Sequence, residues 1–160
     1  MDIDQLRLLL DYDPATGDFT WKRGLRSVGG RKAGTRWQNG YTRIRVLGRY
    51  VYAHRLAFAF LHDRWPTEVD HVNGDRADNR AENLRECTRQ QNQWNARKRG
   101  DNPTSKYKGV YWSKQKCKWQ ARLHKNYKNQ HLGFFDTEEA AGAAYLAAAN
   151  RVAGEFARGH

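Results

Sequence analysis

The chain is poor in several residue types, and each scarcity excludes a class of protein. It has two cysteines and three prolines among 160 residues. Cys87 and Cys117 stand alone rather than in a C-x-x-C pair, which argues against a disulfide framework and against a structural zinc site. The longest run of small apolar residues, 140–149, has about half the length of roughly 20 residues that crosses a bilayer. With Asp2 and Asp4 in place of a secretory signal, we expect a cytoplasmic protein with no membrane segment.

Acidic residues are also scarce relative to basic ones. Seventeen Asp and Glu face 29 Lys and Arg, which gives a net charge of +12. The 12% aromatic content is not typical of a disordered basic tail, because such tails lack the apolar groups that offset ordering entropy. The composition therefore predicts a folded protein that binds a polyanion.

A polar, loop-forming stretch at 97–105 separates two aromatic-rich regions and predicts a linker. We place the domain boundary there, with domains at 1–100 and 101–160. The first carries a net charge of +7 and the second +5, so charge alone does not assign binding to either domain.

The first domain is predicted to contain a small antiparallel sheet with a basic face. Residues 41–46 alternate strictly, which puts Arg43 and Arg45 on one face of a strand. With Arg49, they are predicted phosphate contacts, and a solvated edge strand is the alternative. A helix over about 53–62 follows, ended by a proline.

Residues 67–97 predict a strand, a polar loop, a second strand and a helix. The strands are expected at 67–72 and 84–87, and a Thr-x-x-Gln capping box starts the helix. The polar residues of interest on these elements are Asp70, His71, Asn83 and Asn92.

These residue types suit phosphodiester hydrolysis. Carboxylate and amide oxygens from Asp70 and Asn92 match Mg²⁺, and Mn²⁺ accepts the same ligands. His71 is then the base that takes a proton from the attacking water. Because side chains alternate along a strand, the strand must twist or end at His71 for both neighbours to reach one phosphate. The alternative is that these residues only cap strands and turns.

Residues 41–97 resemble the HNH nuclease family, in the phage and intron-encoded homing type. The resemblance is carried by Asp-His, Asn-Gly-Asp, Asp-Asn-Arg, Glu-Asn-Leu and a helical Gln-Asn, in this order. It implies an α+β fold with a ββα-metal core at about 67–97, here without the four zinc-binding cysteines of some members. The implied roles are His71 as general base, Asp70 and Asn92 as metal ligands, and Asn83 as the residue that props the loop and orients the histidine. For His54, a structural or phosphate-contacting role and direct catalysis both stay open.

The second domain predicts a three-stranded antiparallel sheet at 106–135 and an Ala-rich helix from Thr137. Over 105–157 it resembles the ethylene-response-factor (APETALA) DNA-binding domain. The matching motifs are Tyr-Lys-Gly-Val, Lys-Trp-Gln-Ala-Arg and Leu-Gly-Phe-Phe-Asp-Thr-Glu-Glu-Ala-Ala. The resemblance implies that the sheet faces DNA. The implied contacts are Lys108, Tyr111, Arg122 and His124, with Lys114 and Lys118 on phosphates.

These features predict a metal-dependent endonuclease of double-stranded DNA, of the phage homing HNH type, that leaves 5′-phosphate and 3′-hydroxyl ends. It is expected to act as a monomer or a homodimer. Two alternatives stay open: a non-cleaving DNA-binding regulator on a nuclease-derived scaffold, and a protein that binds or cleaves RNA.

Overall fold

The computed structural model describes residues 1–24, 27–95, 105–125 and 128–157. The predicted mixture of helices and strands is confirmed. The chain divides into two compact units, Met1–Thr88 and Arg89–His160. All of the predicted linker except its last residue lies outside the described ranges.

The first unit has eight strands and two α-helices in its described part. In chain order they are α1 (Ile3–Arg7), β1 (Leu10–Tyr12), β2 (Phe19–Trp21), β3 (Lys32–Ala33), β4 (Thr35–Arg36), β5 (Thr42–Val46), β6 (Arg49–Tyr52), α2 (Ala53–His62), β7 (Glu68–His71) and β8 (Leu84–Cys87), with a 3-10 turn at Ala81–Asn83. The strands form two three-stranded sheets, β1-β2-β3 and β4-β5-β6, and the hairpin β7-β8. All of the strand pairs are antiparallel.

Helix α2 lies at the centre of the first unit. Leu56 and Ala57 are fully buried and pack with Leu6, Phe19 and Ile44 in one apolar core. The helix occupies the predicted range, but Asp63 in the left-handed conformation, at φ 59°, ends it before the proline is reached.

The turn between β1 and β2 approaches the loop between β7 and β8. Gly17 has a φ of 76°, and a Cβ atom there would lie 2.5 Å from the backbone of both Asn79 and Arg80. The Tyr12 hydroxyl donates to the Asn79 carbonyl at 2.8 Å. Only glycine fits this close approach, which fixes the backbone of the loop.

The second unit contains α3 (Arg89–Asn95), β9 (Val110–Ser113), β10 (Lys118–Lys125), β11 (Lys128–Phe135), α4 (Glu138–Ala153) and a 3-10 turn at Gly154–Phe156 in its described part. The three strands form an antiparallel sheet with β10 in the middle. Thr137 caps α4, with its hydroxyl accepting from the Ala140 N–H at 3.1 Å. Ala141, Tyr145 and Ala149 of α4 pack on Val110 and Leu123 of the sheet.

Helix α3 groups with the second unit, whereas the sequence places its residues in the first domain. It contacts α4 and the 3-10 turn after it. The Lys108 ammonium donates to the Gln93 and Trp94 carbonyls at 2.7 and 3.0 Å, which ties the end of α3 to the segment before β9. The two strands of the expected ββα core therefore belong to the first unit and its helix to the second. None of the described helices is long and apolar enough to cross a membrane.

Candidate active site and nucleic-acid surfaces

His71 is the last residue of β7, and only 3% of its surface is exposed. Its Nε2 lies 3.4 Å from the Asn79 Oδ1. The rings of His54 and Tyr41 lie beside it, with centroids 5.0 and 5.8 Å from the imidazole centroid. The described contacts of the imidazole are therefore polar and aromatic, and β7 ends at His71, as the sequence analysis allowed.

The environment of His71 favours the neutral form of its imidazole. Burial lowers the pKa of His71, although the contact with Asn79 and the charge of Asp70 act in the opposite direction. A neutral imidazole carries one N–H and one lone pair. When Nε2–H donates to Asn79, the lone pair is on Nδ1, which is then a base.

Asp70 is buried beside a cation. Its Oδ2 accepts from the Arg85 Nε and Nη2 at 3.1 and 3.0 Å. The two residues face each other in the register of β7 and β8, and the Arg85 side chain is 14% exposed. Arg85 therefore orients the carboxylate and offsets its charge in a place where an uncompensated charge is costly.

Asn83 holds the loop that precedes it. Its Oδ1 accepts from the Asn73 N–H at 2.9 Å, and its Nδ2 donates to the Asp78 carbonyl at 2.8 Å. The Arg80 guanidinium hydrogen-bonds the Asp78 carboxylate and lowers its pKa to about 2. These contacts fit the loop-propping role implied for Asn83, while Asn79 in the same loop contacts the imidazole of His71.

His54 lies at the start of α2 beside His71 and is 6% exposed. Its Nδ1 is buried with no hydrogen-bond partner among the described residues. Tyr41 and Tyr52 flank the ring at centroid distances of 4.9 and 5.6 Å. Burial, with smaller contributions from His71 and Arg55, lowers the pKa of His54 to about 3.

We expect the buried His54 to make stability depend on pH. Its pKa is depressed on folding, so its contribution is fully present above the ordinary histidine pKa and is lost as the pH falls toward 3. Between pH 7.5 and 5 this loss amounts to about 2 kcal/mol of the free energy of unfolding. In His54→Phe, the free energy of unfolding measured by denaturant titration should therefore fall by about 2 kcal/mol less between pH 7.5 and 5 than it does in the parent protein. An equal pH dependence of stability in His54→Phe and in the parent protein would contradict this reading.

Asn92 lies in the first turn of α3 and is half-buried. Asp70, His71 and Asn83 come together on the β7-β8 hairpin of the first unit, whereas Asn92 belongs to the second. A shared ion between Asp70 and Asn92 stays a prediction. No group of three or more His, Cys, Asp or Glu side chains in the described ranges is arranged to hold a metal. The proposed ligand set has one carboxylate and one amide.

The three arginines predicted to contact phosphate lie on the β4-β5-β6 sheet. Arg43 and Arg45 are on β5, and Arg49 begins β6. Arg45 and Arg49 are exposed, and Arg43 is half-buried.

On the second sheet, three of the residues implied to face DNA are exposed. Tyr111, Arg122 and His124 alternate with the buried Ala121 and Leu123 and therefore lie on the face away from α4. This leaves a solvent-exposed face that carries these three side chains and also Lys118, which shares the parity of Arg122 on β10.

The three lysines implied on this unit differ in their surroundings. Lys108 is engaged by the carbonyls of α3 described above. The Lys118 ammonium lies 2.9 Å from the Asp136 carboxylate in an exposed ion pair, which a phosphate can replace. Lys114 is exposed, in the turn where the carbonyl of Lys114 accepts from the Cys117 thiol at 3.5 Å.

Residues 51–94 match one family model. The family is described as HNH endonuclease. The match covers a little over a quarter of the chain and supports a nuclease that acts on DNA. No curated protein and no solved structure matches the chain. The matched stretch, called the HNH segment below, contains His54, Asp70, His71, Asn83 and Asn92.

Sequence reasoning missed two contacts of the HNH segment. It did not place Asn79 beside His71, and it gave Arg85 no role. The antiparallel register of two short strands could have placed Arg85 opposite Asp70, because both strands and their polar residues are visible in the sequence. No pattern indicated that Asn79 meets His71.

Proposed function

We propose that the protein is a metal-dependent endonuclease that hydrolyses phosphodiester bonds in double-stranded DNA. The observation that carries this proposal is His71: a buried, neutral imidazole, held by Asn79, at the end of a strand in the HNH segment. An imidazole in this state suits general-base catalysis near pH 7.

In the proposed reaction, His71 Nδ1 takes a proton from a water molecule as the water oxygen attacks phosphorus. One P–O bond forms, and the bond from phosphorus to the 3′-oxygen breaks. The 3′-oxygen is protonated by solvent, and the imidazolium returns its proton to solvent. One water is consumed, and the products are a 5′-phosphate and a 3′-hydroxyl.

Asp70 and Asn92 are the residues that we propose to hold a divalent cation. Their hard oxygen atoms fit Mg²⁺ or Mn²⁺, which keep several waters and take phosphate oxygens as further ligands. Such a cation, when bound, stabilises charge on the phosphate and on the leaving oxygen. Arg85 and the backbone of β7 fix the Asp70 carboxylate for this task.

DNA affinity is proposed to come from both units. Arg45 and Arg49 supply exposed cations on the first, and the outward face with Tyr111, Arg122 and His124 supplies the second. Such contacts release counterions, so affinity should fall steeply with salt. We also propose the homing role, as a phage enzyme that acts as a monomer or a homodimer and prefers one site among long natural DNA targets.

The second candidate is a DNA-binding regulator that does not cleave. The contact of Arg85 with Asp70 favours it, because a guanidinium on a carboxylate competes with a cation for the same oxygen. The two candidates differ in one measurable property, which is cleavage.

We expect the purified protein to nick supercoiled plasmid in Mg²⁺ and to lose this activity in excess EDTA, because charge on the leaving oxygen is then unstabilised. Gel electrophoresis of relaxed and linear plasmid measures the activity. Tight DNA binding with no nicking in Mg²⁺ or Mn²⁺ would favour the regulator.

A further inference from the structure

Two exposed aromatic rings flank a groove on the first unit. The groove has a volume of about 400 Å³, and the residues of interest in its wall are Trp21, Lys32, Trp37, Arg43, Arg45 and Tyr50. Trp37 is 46% exposed and Tyr50 is 63% exposed. Two exposed rings that line one groove offer an apolar surface of the kind that marks ligand-binding grooves.

Arg43 is fixed between these rings by stacking. Its Cζ lies 3.5 Å from the Trp37 ring centroid and 4.8 Å from the Tyr50 ring centroid. Its Nε is buried and has no hydrogen-bond partner in the described part of the chain. The guanidinium is therefore positioned by aromatic faces rather than by a carboxylate, and its charge is not neutralised by an ion pair among the described residues.

The other charged residues of the groove are also basic. Arg45 is exposed, and its Cζ lies 5.9 Å from the Tyr50 ring centroid. The Lys32 ammonium lies 2.7 Å from the Asp18 carboxylate, in an exposed pair that contributes little and can exchange for a phosphate. None of the described residues in the groove wall is acidic. The groove thus combines open rings with cations.

That combination fits a polynucleotide strand whose bases are unpaired. Open rings stack on bases, and the cations beside them bind the phosphates between those bases. In an intact duplex the base faces are already stacked on one another and cannot reach Tyr50 or Trp37. We propose that the groove between Trp37 and Tyr50, called the Trp37–Tyr50 groove, binds single-stranded DNA. The groove shares Arg43 and Arg45 with the proposed phosphate contacts, but its binding of a single strand does not depend on the proposed cleavage chemistry.

The test is fluorescence anisotropy with the full chain in EDTA, so that no cleavage interferes. The probe is a labelled oligothymidylate of about 10 nucleotides, within the site sizes of single-strand binders. Tyr50→Leu should raise its Kd about tenfold, because it removes one stacking platform. Tyr50→Phe should bind like the parent protein. Leu47→Ala is the matched control, since Leu47 is 53% exposed and does not line the groove.

A second measurement does not depend on the stability of Tyr50→Leu. Oligothymidylate should quench part of the parent's tryptophan emission, and the quenched part should be smaller in Trp37→Phe, which still stacks but loses one of the two tryptophan signals of the groove wall. The proposal is overturned if Trp37→Phe leaves the quenched part of the emission undiminished, if Tyr50→Leu leaves the single-strand Kd unaltered, or if Tyr50→Leu weakens binding of a duplex of equal length by the same factor. Tighter binding of oligouridylate than of oligothymidylate would also overturn the assignment to DNA.

Discussion

Replacing His71 by alanine is expected to slow plasmid cleavage about a thousandfold, within the range of a lost general base. The base is lost, whereas none of the proposed DNA-contacting side chains is altered. Single-turnover rates at saturating DNA isolate the chemical step, and anisotropy with a duplex probe measures binding. We expect the duplex Kd to stay within about twofold of the parent value, because binding energy from phosphate contacts is independent of this site.

Two controls make the His71 result specific. His62→Ala removes an exposed imidazole at the end of α2 and should leave the rate unchanged. His71→Gln keeps a polar side chain of similar size in the buried site and should be as inactive as His71→Ala, with a free energy of unfolding closer to that of the parent. Cleavage by either His71 variant at more than a tenth of the parent rate would contradict the assignment of His71 as the base.

The largest expected loss of stability is that of Gly109→Ala, at about 2–5 kcal/mol in the free energy of unfolding of the second unit. Gly109 has a φ of 70°, which is unfavourable for alanine. A Cβ there would lie 2.4 Å from the Tyr145 ring and 2.5 Å from the Arg122 carbonyl oxygen. Neither the core ring nor the backbone of β10 can move without disturbing the sheet. Hydrogen exchange of peptides from β10 and α4 measures the loss in this unit alone.

Two further glycines separate backbone strain from collision. Gly154→Ala places a Cβ at a φ of 54° and a ψ of −127° with no described atom within 4 Å, so it reports backbone strain alone, about 1–3 kcal/mol. Gly142→Ala lies in α4 and would place a Cβ 2.6 Å from the Tyr107 ring. Its change in the free energy of unfolding is therefore the cost of this collision minus the gain from the higher helix propensity of alanine. If Gly109→Ala costs no more than Gly154→Ala, the packing of Tyr145 on this turn is looser than described.

Elements with strong local signals could be predicted from the sequence. The apolar spacing of α2, the alternation of β5 and the capping threonine of α4 each lie within a few residues, so neighbouring side chains decide them. The start of β9 differs from the prediction. The sheet was expected to begin at Lys106, but its first strand begins at Val110, because Gly109 at positive φ turns the chain just before it.

Contacts through space could not be predicted in the same way. The stacking of Arg43 on Trp37, and the meeting of Asn79 with His71, depend on how loops return to the sheet. The spacing of residues along the sequence does not predict where a loop returns, because the entropy cost of closing a loop depends only weakly on its length. The grouping of α3 with the second unit was missed for a related reason: the carbonyls that Lys108 engages carry no sequence signal.

The two thiols of the chain differ sharply in chemical reactivity. Cys87 is 6% exposed on β8, and burial, with help from the Asp70 charge, raises its pKa to about 12. Cys117 is exposed in the turn between β9 and β10. Because the thiolate is the nucleophile, a maleimide dye enters at Cys117 and leaves Cys87 untouched. The wild-type polypeptide thus accepts one fluorophore at the tip of a hairpin in the second unit, so that optical recordings can follow that unit without any engineered cysteine.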